Sequence, residues 1–283
     1  MRGVLLALAL SALPAPAFAQ QNGDRQGCEA ADPDIAIAAC SAILRSKGTT
    51  SPTDFSGPAS DTTDNAMAYY YRGAAYAHEG EPERAVADYS EAIIRKPDFG
   101  EAYFSRGVAR EDMRLYDQAI DDYTRAIELM PAEPEAYLNR GGIYDRQGRH
   151  DEAIKDYGRV IALRPDNAKA YLNRALAESR MGARDVAITD YTRAIMLKPD
   201  YASAYNGRAW VYHAKGEDRR GLADANKAVA LAPGDADSIE TRAEIREKLG
   251  SRVGAIADYR TALKIDPGMN EAKAGLKRLH AAP

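Results

Sequence analysis

Residues 103–131, YFSRGVAREDMRLYDQAIDDYTRAIELMP, form a stretch that most of the chain repeats. Proline recurs at intervals of 34 residues, and this period divides the chain into six predicted repeats. A fixed period of about 34 residues is typical of stacked helix–turn–helix units, each of which buries its apolar face against its neighbours. The sequence therefore predicts an all-α solenoid. The six repeats are 66–99, 100–133, 134–167, 168–201, 202–235 and 236–269.

Small and aromatic residues occupy the same positions in successive repeats and mark two helices. In the third repeat Tyr137, Gly141 and Tyr144 form a stripe at helical spacing, and a second stripe follows from Ala153. Position 15 is glycine in five repeats and Arg114 in the other, which predicts a left-handed cap at the end of the first helix. Because the tyrosines recur once per repeat, we interpret them as packing residues. An aromatic box that binds a cofactor is the alternative.

Every repeat carries an arginine at position 7 and an aspartate at position 23. This recurrence predicts a ladder of ion pairs that ties helices within or between repeats, because a guanidinium fits a carboxylate with two hydrogen bonds. The alternative is that the arginines bind anionic ligands. The arginines are Arg72, Arg106, Arg140, Arg174, Arg208 and Arg242, and the aspartates are Asp88, Asp122, Asp156, Asp190, Asp224 and Asp258.

The N-terminus has the pattern of a secretory signal peptide. A basic residue precedes an apolar run over residues 4–13, and residues 17–19 read AFA, a small–x–small cleavage motif. We therefore expect residues 1–19 to be removed on export. A retained membrane anchor is the alternative, which two prolines near the end of the run disfavour. The mature chain contains no apolar run that is long enough to span a bilayer as a helix.

Two cysteines, Cys28 and Cys40, lie in the segment that follows the predicted cleavage site. An even number of cysteines at close spacing in an oxidising compartment favours a disulfide, whereas a redox-active pair would have the tighter C-x-x-C spacing. We interpret residues 20–45 as a degenerate half-repeat that this disulfide staples. Residues 46–65 are rich in Ser, Thr, Gly, Pro and Asp, and we expect them to form a flexible linker.

The first-helix motif reads Tyr-Arg-Gly at 71–73, Ser-Arg-Gly at 105–107, Asn-Arg-Gly at 139–141 and Asn-Arg-Ala at 173–175. Together with the small and aromatic positions, these residues resemble the tetratricopeptide repeat, and the Asn-Arg-Gly type is similar to exported bacterial members of that family. The resemblance covers 204 of the 283 residues and implies a right-handed superhelix whose first helices line a concave groove. It also implies that residues 270–283 form a capping helix and a tail.

The resemblance implies that positions 2, 5, 6, 9, 12 and 13 of each repeat point into the groove. There the first five repeats carry apolar residues among asparagines suited to bonding a peptide backbone, and the sixth repeat is acidic, with Asp237, Glu240, Glu244 and Glu247. Exposed apolar patches are typical of partner sites, although curvature that buries part of this floor is the alternative. The predicted partner-binding residues are Tyr70, Phe104, Leu138, Asn139, Lys169, Leu172, Asn173, Leu176, Asn206 and Trp210.

Residues suited to catalysis or metal binding are scattered along the chain. The four histidines share no metal-ligand spacing, and no nucleophile elbow, phosphate loop or dinucleotide fingerprint is present. We therefore expect neither an enzyme nor a bound cofactor or metal. A net charge of −4 without a basic stripe also disfavours nucleic acid as a partner.

These observations predict an exported protein-interaction scaffold or adaptor of the bacterial cell envelope that binds a protein or peptide in its groove. The periplasm is the predicted compartment, with release to the exterior as the alternative. A second hypothesis is a periplasmic chaperone or assembly factor that holds unfolded envelope clients. A remote third is an enzyme that uses the groove to hold its substrate. The repeat pattern specifies neither the partner nor the oligomeric state, because it determines how the helices pack and not what binds to them.

Overall fold

The computed structural model describes residues 26–46 and 59–282, which divide at Pro131 into two compact units. Within the described segments all regular structure is helical, in agreement with the predicted all-α repeat fold. Unit 1 contains α1 (Pro33–Ser46), α2 (Ala59–His78), α3 (Pro82–Arg95), α4 (Gly100–Asp112) and α5 (Tyr116–Leu129). Unit 2 contains α6 (Pro134–Arg146), α7 (His150–Leu163), α8 (Ala168–Arg180), α9 (Arg184–Leu197), α10 (Ala202–Ala214), α11 (Asp218–Leu231), α12 (Ala236–Lys248), α13 (Arg252–Ile265) and α14 (Asn270–Arg278).

The turn inside each repeat uses a left-handed residue, as the glycine at position 15 predicts. Between α6 and α7, Gly148 has φ 75° and its N–H donates to the carbonyl of Asp145, while the N–H of Arg149 donates to the carbonyl of Tyr144. These two bonds satisfy carbonyls that the helix end would otherwise leave unpaired. In the second repeat Arg114 adopts φ 59° at the equivalent position, so the same turn forms there without glycine.

Replacing Gly148 by alanine is expected to lower the free energy of unfolding by about 1 kcal/mol, because a Cβ atom disfavours the left-handed conformation. An added Cβ atom there meets no atom within 4 Å, so the cost is conformational rather than steric. Gly234 offers a matched control, since it also has open space around it but no positive φ. Urea unfolding followed by circular dichroism checks both variants, and equal losses for both would contradict this account.

The core of each repeat is built where the second-helix tyrosine meets the first helix. Tyr157 of α7 is 2% exposed, and a Cβ added to Gly141 of α6 would lie 3.0 Å from its ring. Tyr123 and Gly107 make the same contact between α5 and α4. The small residue allows the two helices to approach closely, and the ring fills the space beside it. In the structure these tyrosines pack between the two helices of a repeat, as the sequence predicts.

All six arginine–aspartate pairs form between the two helices of one repeat. In the third repeat, Arg140 donates from Nε and Nη2 to the two carboxylate oxygens of Asp156, both at 2.8 Å. Some of these arginines also reach the preceding second helix: Arg106 Nη1 donates to Ser90 at 2.9 Å and Arg208 Nη1 donates to Thr192 at 2.8 Å. The pairs therefore tie helices within a repeat and, through these hydroxyls, between repeats. In each pair the aspartate carboxylate occupies the Nε and Nη2 edge of the arginine guanidinium, so that edge is not open to an anionic ligand.

Cys28 and Cys40 form a disulfide with a Cα–Cα distance of 4.8 Å. Both are buried together with Leu44 of α1 and Ala68 of α2, so the bond fastens the segment before α1 to the first helix pair. The predicted signal peptide, residues 1–19, lies outside the described residues, as does most of the predicted linker.

The predicted linker is too long at its C-terminal end, because α2 begins at Ala59 and residues 59–65 are helical. The glycines and prolines of the linker all precede Ala59. The Ser, Thr, Asp and Asn residues that follow disfavour a helix interior by only about 0.5 kcal/mol each. Further along α2, Ala68 packs against Cys40 and Leu44 of α1, and a helix that such contacts hold in place can extend back to Ala59 at little cost.

The chain closes with α14, which covers the exposed end of the sixth repeat. Ala272 and Leu276 are fully buried against Tyr259 and its neighbours, and Leu279 is partly buried beside them. Arg278 donates twice to Glu247 at 2.9 Å, which fastens this helix to α12. Terminal capping of this kind protects the apolar face of the last unit of a repeat protein.

Candidate binding surface

The first helices of the repeats form one surface in each unit, which we call the inner face. In unit 2 it comprises α6, α8, α10 and α12, and each of these helices contacts the next first helix as well as its own second helix. In unit 1 it comprises α2 and α4. The residues at positions 2, 5, 6, 9, 12 and 13 belong to these helices, so all the predicted binding residues lie on helices of the inner face.

Unit 1 has a cavity of about 370 Å³ that opens on its inner face. Phe104 and Val108 of α4, at the predicted groove positions 5 and 9, supply apolar walls. The Phe104 ring also packs on Tyr123 at a centroid distance of 5.8 Å, which holds it in place. Three of the other lining residues also belong to α4, and the remaining four come from the preceding repeat, a contribution that the sequence did not indicate. These lining residues are Ala77, Gly80, Pro82, Tyr89, Ser105, Ala109 and Asp112.

Tyr70, a predicted groove residue of unit 1, is held mainly by other aromatic rings. Its ring lies 4.9 Å from Phe99, 5.5 Å from Tyr71 and 5.8 Å from Tyr89, measured between centroids. The side chain is half-buried by these contacts. Tyr70 thus contributes chiefly to packing, and the opening on this face is formed by Phe104 and Val108.

Leu172 is not available as a partner-binding anchor, which corrects the prediction for this residue. It is 6% exposed and packs in a core cluster with Ala175, Tyr191 and Val211. Leu176 is partly buried against the same cluster. Contact between neighbouring first helices covers the floor at this point, which is the alternative that the sequence left open.

The remaining predicted residues of unit 2 differ in exposure. Trp210 of α10 is 47% exposed and Lys169 of α8 is also exposed, so both side chains are accessible. Leu138, Asn139, Asn173 and Asn206 are half-buried. The Oδ1 atom of Asn206 is buried and accepts no hydrogen bond from the described part of the chain.

Glu178 is a buried carboxylate that the sequence analysis missed. It is 6% exposed at position 11 of the fourth repeat, and one of its oxygens has no hydrogen-bond donor among the described residues. Burial, followed by the charge of Asp190, raises its pKa to about 7, and Arg174 acts in the opposite direction. The repeat alignment did contain a signal, because position 11 is tyrosine or arginine in the other five repeats.

Glu240 and Glu244 give the sixth repeat an acidic inner face. Burial raises the pKa of both carboxyls, and neighbouring carboxylates add to the effect, Glu271 of α14 among them. Glu247, one turn further along α12, behaves differently because its bonds from Arg278 lower its pKa. His213 and Arg278 act in the opposite direction on the pKa of Glu244, but neither Glu240 nor Glu244 has an ion pair among the described residues, whereas Glu247 is paired with Arg278.

The described residues contain no group of three or more His, Cys, Asp or Glu side chains that could hold a metal ion. In the same part of the chain, no helix combines the length and apolar character needed to cross a bilayer.

Comparison with known proteins gives family and structural matches. No curated protein sequence matches the chain. Among solved structures, MamA is 26% identical and the match covers 56% of this chain and 93% of MamA, with a TM-score of 0.55. PilW, a type IV pilus biogenesis factor, is 18% identical over 75% of this chain and 98% of PilW, with a TM-score of 0.64. YrrB, described as a TPR protein with an unusual peptide-binding site, is 17% identical over 67% of this chain and 97% of YrrB, with a TM-score of 0.56.

Family models described as tetratricopeptide repeat match residues 66–99, 104–168, 144–198 and 172–236. These matches cover more than half of the chain and coincide with the helix pairs of both units. The chain therefore belongs to the tetratricopeptide repeat family, whose members act as protein-interaction scaffolds and not as enzymes.

Proposed function

We propose that this chain is an exported adaptor of the bacterial cell envelope that binds a protein or peptide partner on its inner face. The observation that carries the proposal is the unfilled apolar opening of unit 1, where Phe104 and Val108 line a cavity of about 370 Å³. In unit 2 the exposed ring of Trp210 adds an aromatic contact. Apolar and aromatic side chains that remain accessible beside polar groups are typical of partner sites.

Export is supported by two features of the N-terminal region. Residues 1–19 have the pattern of a cleaved signal peptide, and the disulfide between Cys28 and Cys40 suits an oxidising compartment. The likeness to PilW, a pilus biogenesis factor, is in keeping with an envelope role, although at this identity it bears only on the fold. The likeness to YrrB, a repeat protein with a peptide-binding site, is likewise a likeness of fold and is in keeping with a peptide partner.

Site-specific photo-crosslinking in living cells tests the inner face as the partner site. A photo-reactive phenylalanine analogue is placed at Val108 or Trp210, with Val253 as the control. Val253 is 84% exposed on α13, a second helix, so it reports general surface encounters. We expect a discrete crosslinked protein band at positions 108 and 210 and none at position 253. Crosslinks of equal strength at all three positions, or at position 253 alone, would contradict the proposed site.

Export is tested on the full chain with a C-terminal tag. Osmotic shock should release the tagged protein with the periplasmic fraction, and N-terminal sequencing should begin at Gln20 because the predicted cleavage follows residue 19. A tagged variant that lacks residues 2–19 is expected to stay in the cytoplasm. Retention of the full chain in the cytoplasm, with its N-terminus intact, would contradict export.

A further inference from the structure

Two neighbouring first helices of unit 2 present parallel stripes of side chains on the inner face. On α10, Asn206, Trp210 and His213 are spaced four and three residues apart, so they lie along one side of the helix. Glu240, Glu244 and Glu247 occupy the equivalent positions of α12, which contacts α10 directly. Glu244 interacts electrostatically with His213, which places the two stripes side by side. We call the second of these the acidic stripe.

The acidic stripe has more negative charge than its surroundings neutralise. Asp237 and Glu271 lie close enough to Glu240 to interact with it electrostatically. The nearby basic side chains already have partners, because Arg278 donates to Glu247 at 2.9 Å and Nδ1 of His213 is hydrogen-bonded to Asp218. Neither Glu240 nor Glu244 has an ion pair among the described residues.

The same stripes contain acceptors that lack a donor. Oδ1 of Asn206 and Oε1 of Glu240 are buried, and neither atom accepts a hydrogen bond from the part of the chain that the structure describes, although the backbone N–H of Ala272 interacts with the Glu240 carboxyl and acts to lower its pKa. They stand at the same position of adjacent repeats. A buried acceptor without a partner is unfavourable, and each such group in a native protein calls for an explanation. Since both are acceptors, the missing group is a donor.

The exposed ring beside these acceptors favours a cationic donor from a side chain. Trp210 is 47% exposed, and the face of an indole attracts a guanidinium or an ammonium group. A metal ion is a poorer occupant, because the described carboxylates form no group of three that could hold one. Guanidinium and ammonium groups supply both the positive charge and the N–H donors.

The spacing of the two carboxylates along α12 determines the spacing that we expect between the basic residues of the partner. Glu240 and Glu244 are four residues apart, which is about 6 Å along a helix. In an extended chain, side chains on the same side are about 6.7 Å apart, at every second residue. An extended segment that runs along α12 would thus bring alternate side chains to the two carboxylates.

We propose that the inner face of the fifth and sixth repeats binds an extended protein segment with two basic residues separated by one residue, placed against Glu240 and Glu244 beside Trp210. This inference rests on the proposed function, since it names the chemistry of a partner of the inner face. Arginine fits best, because its planar group bonds a carboxylate and stacks on an aromatic ring.

Trp210 is the sole tryptophan of the chain and serves as the probe. The full mature protein is titrated at low salt with the peptide GSRSRSG, blocked at both ends, while the tryptophan fluorescence is followed. The comparison peptides are GSRRSSG, in which adjacent arginines point to opposite sides, and GSESESG. We expect a saturable change with GSRSRSG, an affinity about tenfold lower with GSRRSSG, and no change with GSESESG. Added salt should weaken the binding, because counter-charges are screened.

The Glu240→Gln, Glu244→Gln variant should bind GSRSRSG at least about tenfold more weakly. This variant is expected to fold, because it removes two carboxylates whose ionised forms are disfavoured by burial. The matched control is Glu133→Gln, Asp166→Asn, which changes the net charge equally at two exposed positions of the same unit that are not groove positions. Equal weakening by both variants would show a general charge effect and overturn the inference.

The outcome separates this inference from the proposed function. If GSRSRSG leaves the Trp210 fluorescence unchanged while crosslinks still form at positions 108 and 210, the basic-segment inference is wrong and the inner face remains the partner site. If GSRSRSG binds and requires Glu240 and Glu244, but crosslinks in cells form only at position 253, the peptide chemistry holds and the proposed function fails.

Discussion

Replacing Asp224 by alanine is expected to lower the free energy of unfolding by about 3 kcal/mol, because it leaves a partly buried guanidinium without its carboxylate. Asp224 is 8% exposed and accepts hydrogen bonds from Nε and Nη2 of Arg208 at 2.7 and 2.9 Å. The pair joins α10 to α11. Urea unfolding measures the loss, followed by circular dichroism for the whole chain and by Trp210 fluorescence for the fifth repeat.

Two further variants identify the source of this loss. Thr192→Val replaces by a methyl group the hydroxyl that accepts from Arg208 Nη1 at 2.8 Å and donates to the carbonyl of Ile188 at 2.7 Å, so its expected cost is about 1 kcal/mol. The double variant Arg208→Met, Asp224→Leu removes both charges and keeps the volume apolar, so it should recover most of the stability that Asp224→Ala loses. A double variant as unstable as Asp224→Ala would indicate that packing, rather than an unpaired charge, determines the loss.

The second large effect concerns Glu178, whose replacement by glutamine is expected to remove a pH dependence of stability. Burial and the charge of Asp190 raise the pKa of this carboxyl to about 7 in the folded chain, against an ordinary value of 4.5. The folded state therefore holds its proton at pH values where the unfolded state has released it. Stability is greatest below the unfolded pKa and falls as the pH rises through the folded pKa. Between about pH 5 and pH 8 we expect a loss on the order of 2 kcal/mol.

Glu178→Gln supplies a neutral side chain of the same size at every pH. It should therefore match the wild-type stability near pH 5 and exceed it by about 2 kcal/mol near pH 8. Urea unfolding over this range provides the measurement. Glu133→Gln is the control, because Glu133 is exposed and its replacement should leave the slope unchanged. If Glu178→Gln keeps the wild-type slope, the pH dependence arises elsewhere.

The arginine–aspartate pairs and the binding surface use the same helices for different purposes. Position 7 of a first helix faces the second helix of its own repeat, where Arg174 bonds Asp190. Positions 5 and 9 lie on the inner face, where Asn206 and Trp210 are found. A rigid frame of recurring pairs thus carries positions that vary from repeat to repeat, and that variation is what allows one repeat fold to recognise a particular partner.

The sequence by itself determined the repeat, its two helices, the left-handed turn and the arginine and aspartate positions that form ion pairs, whereas the pairing within one repeat came from the structure. The sequence could determine the former because repeat proteins are held together by contacts that are close in sequence: Arg140 and Asp156, for example, are only 16 residues apart. Helical spacing places Tyr157 against Gly141, and the backbone requirement of the turn selects Gly148. Each of these features follows from local geometry that repeats with the chain.

Only the tertiary structure decided which inner-face residues are accessible and how their charges behave. Leu172 and Trp210 both occupy predicted groove positions, yet the first is buried and the second is 47% exposed. Glu178 and Glu247 are both glutamates of first helices, yet burial raises the pKa of one and Arg278 lowers that of the other. Exposure and pKa depend on the distances between neighbouring helices and on the groups packed around each side chain, and the spacing of residues along the chain does not contain that information.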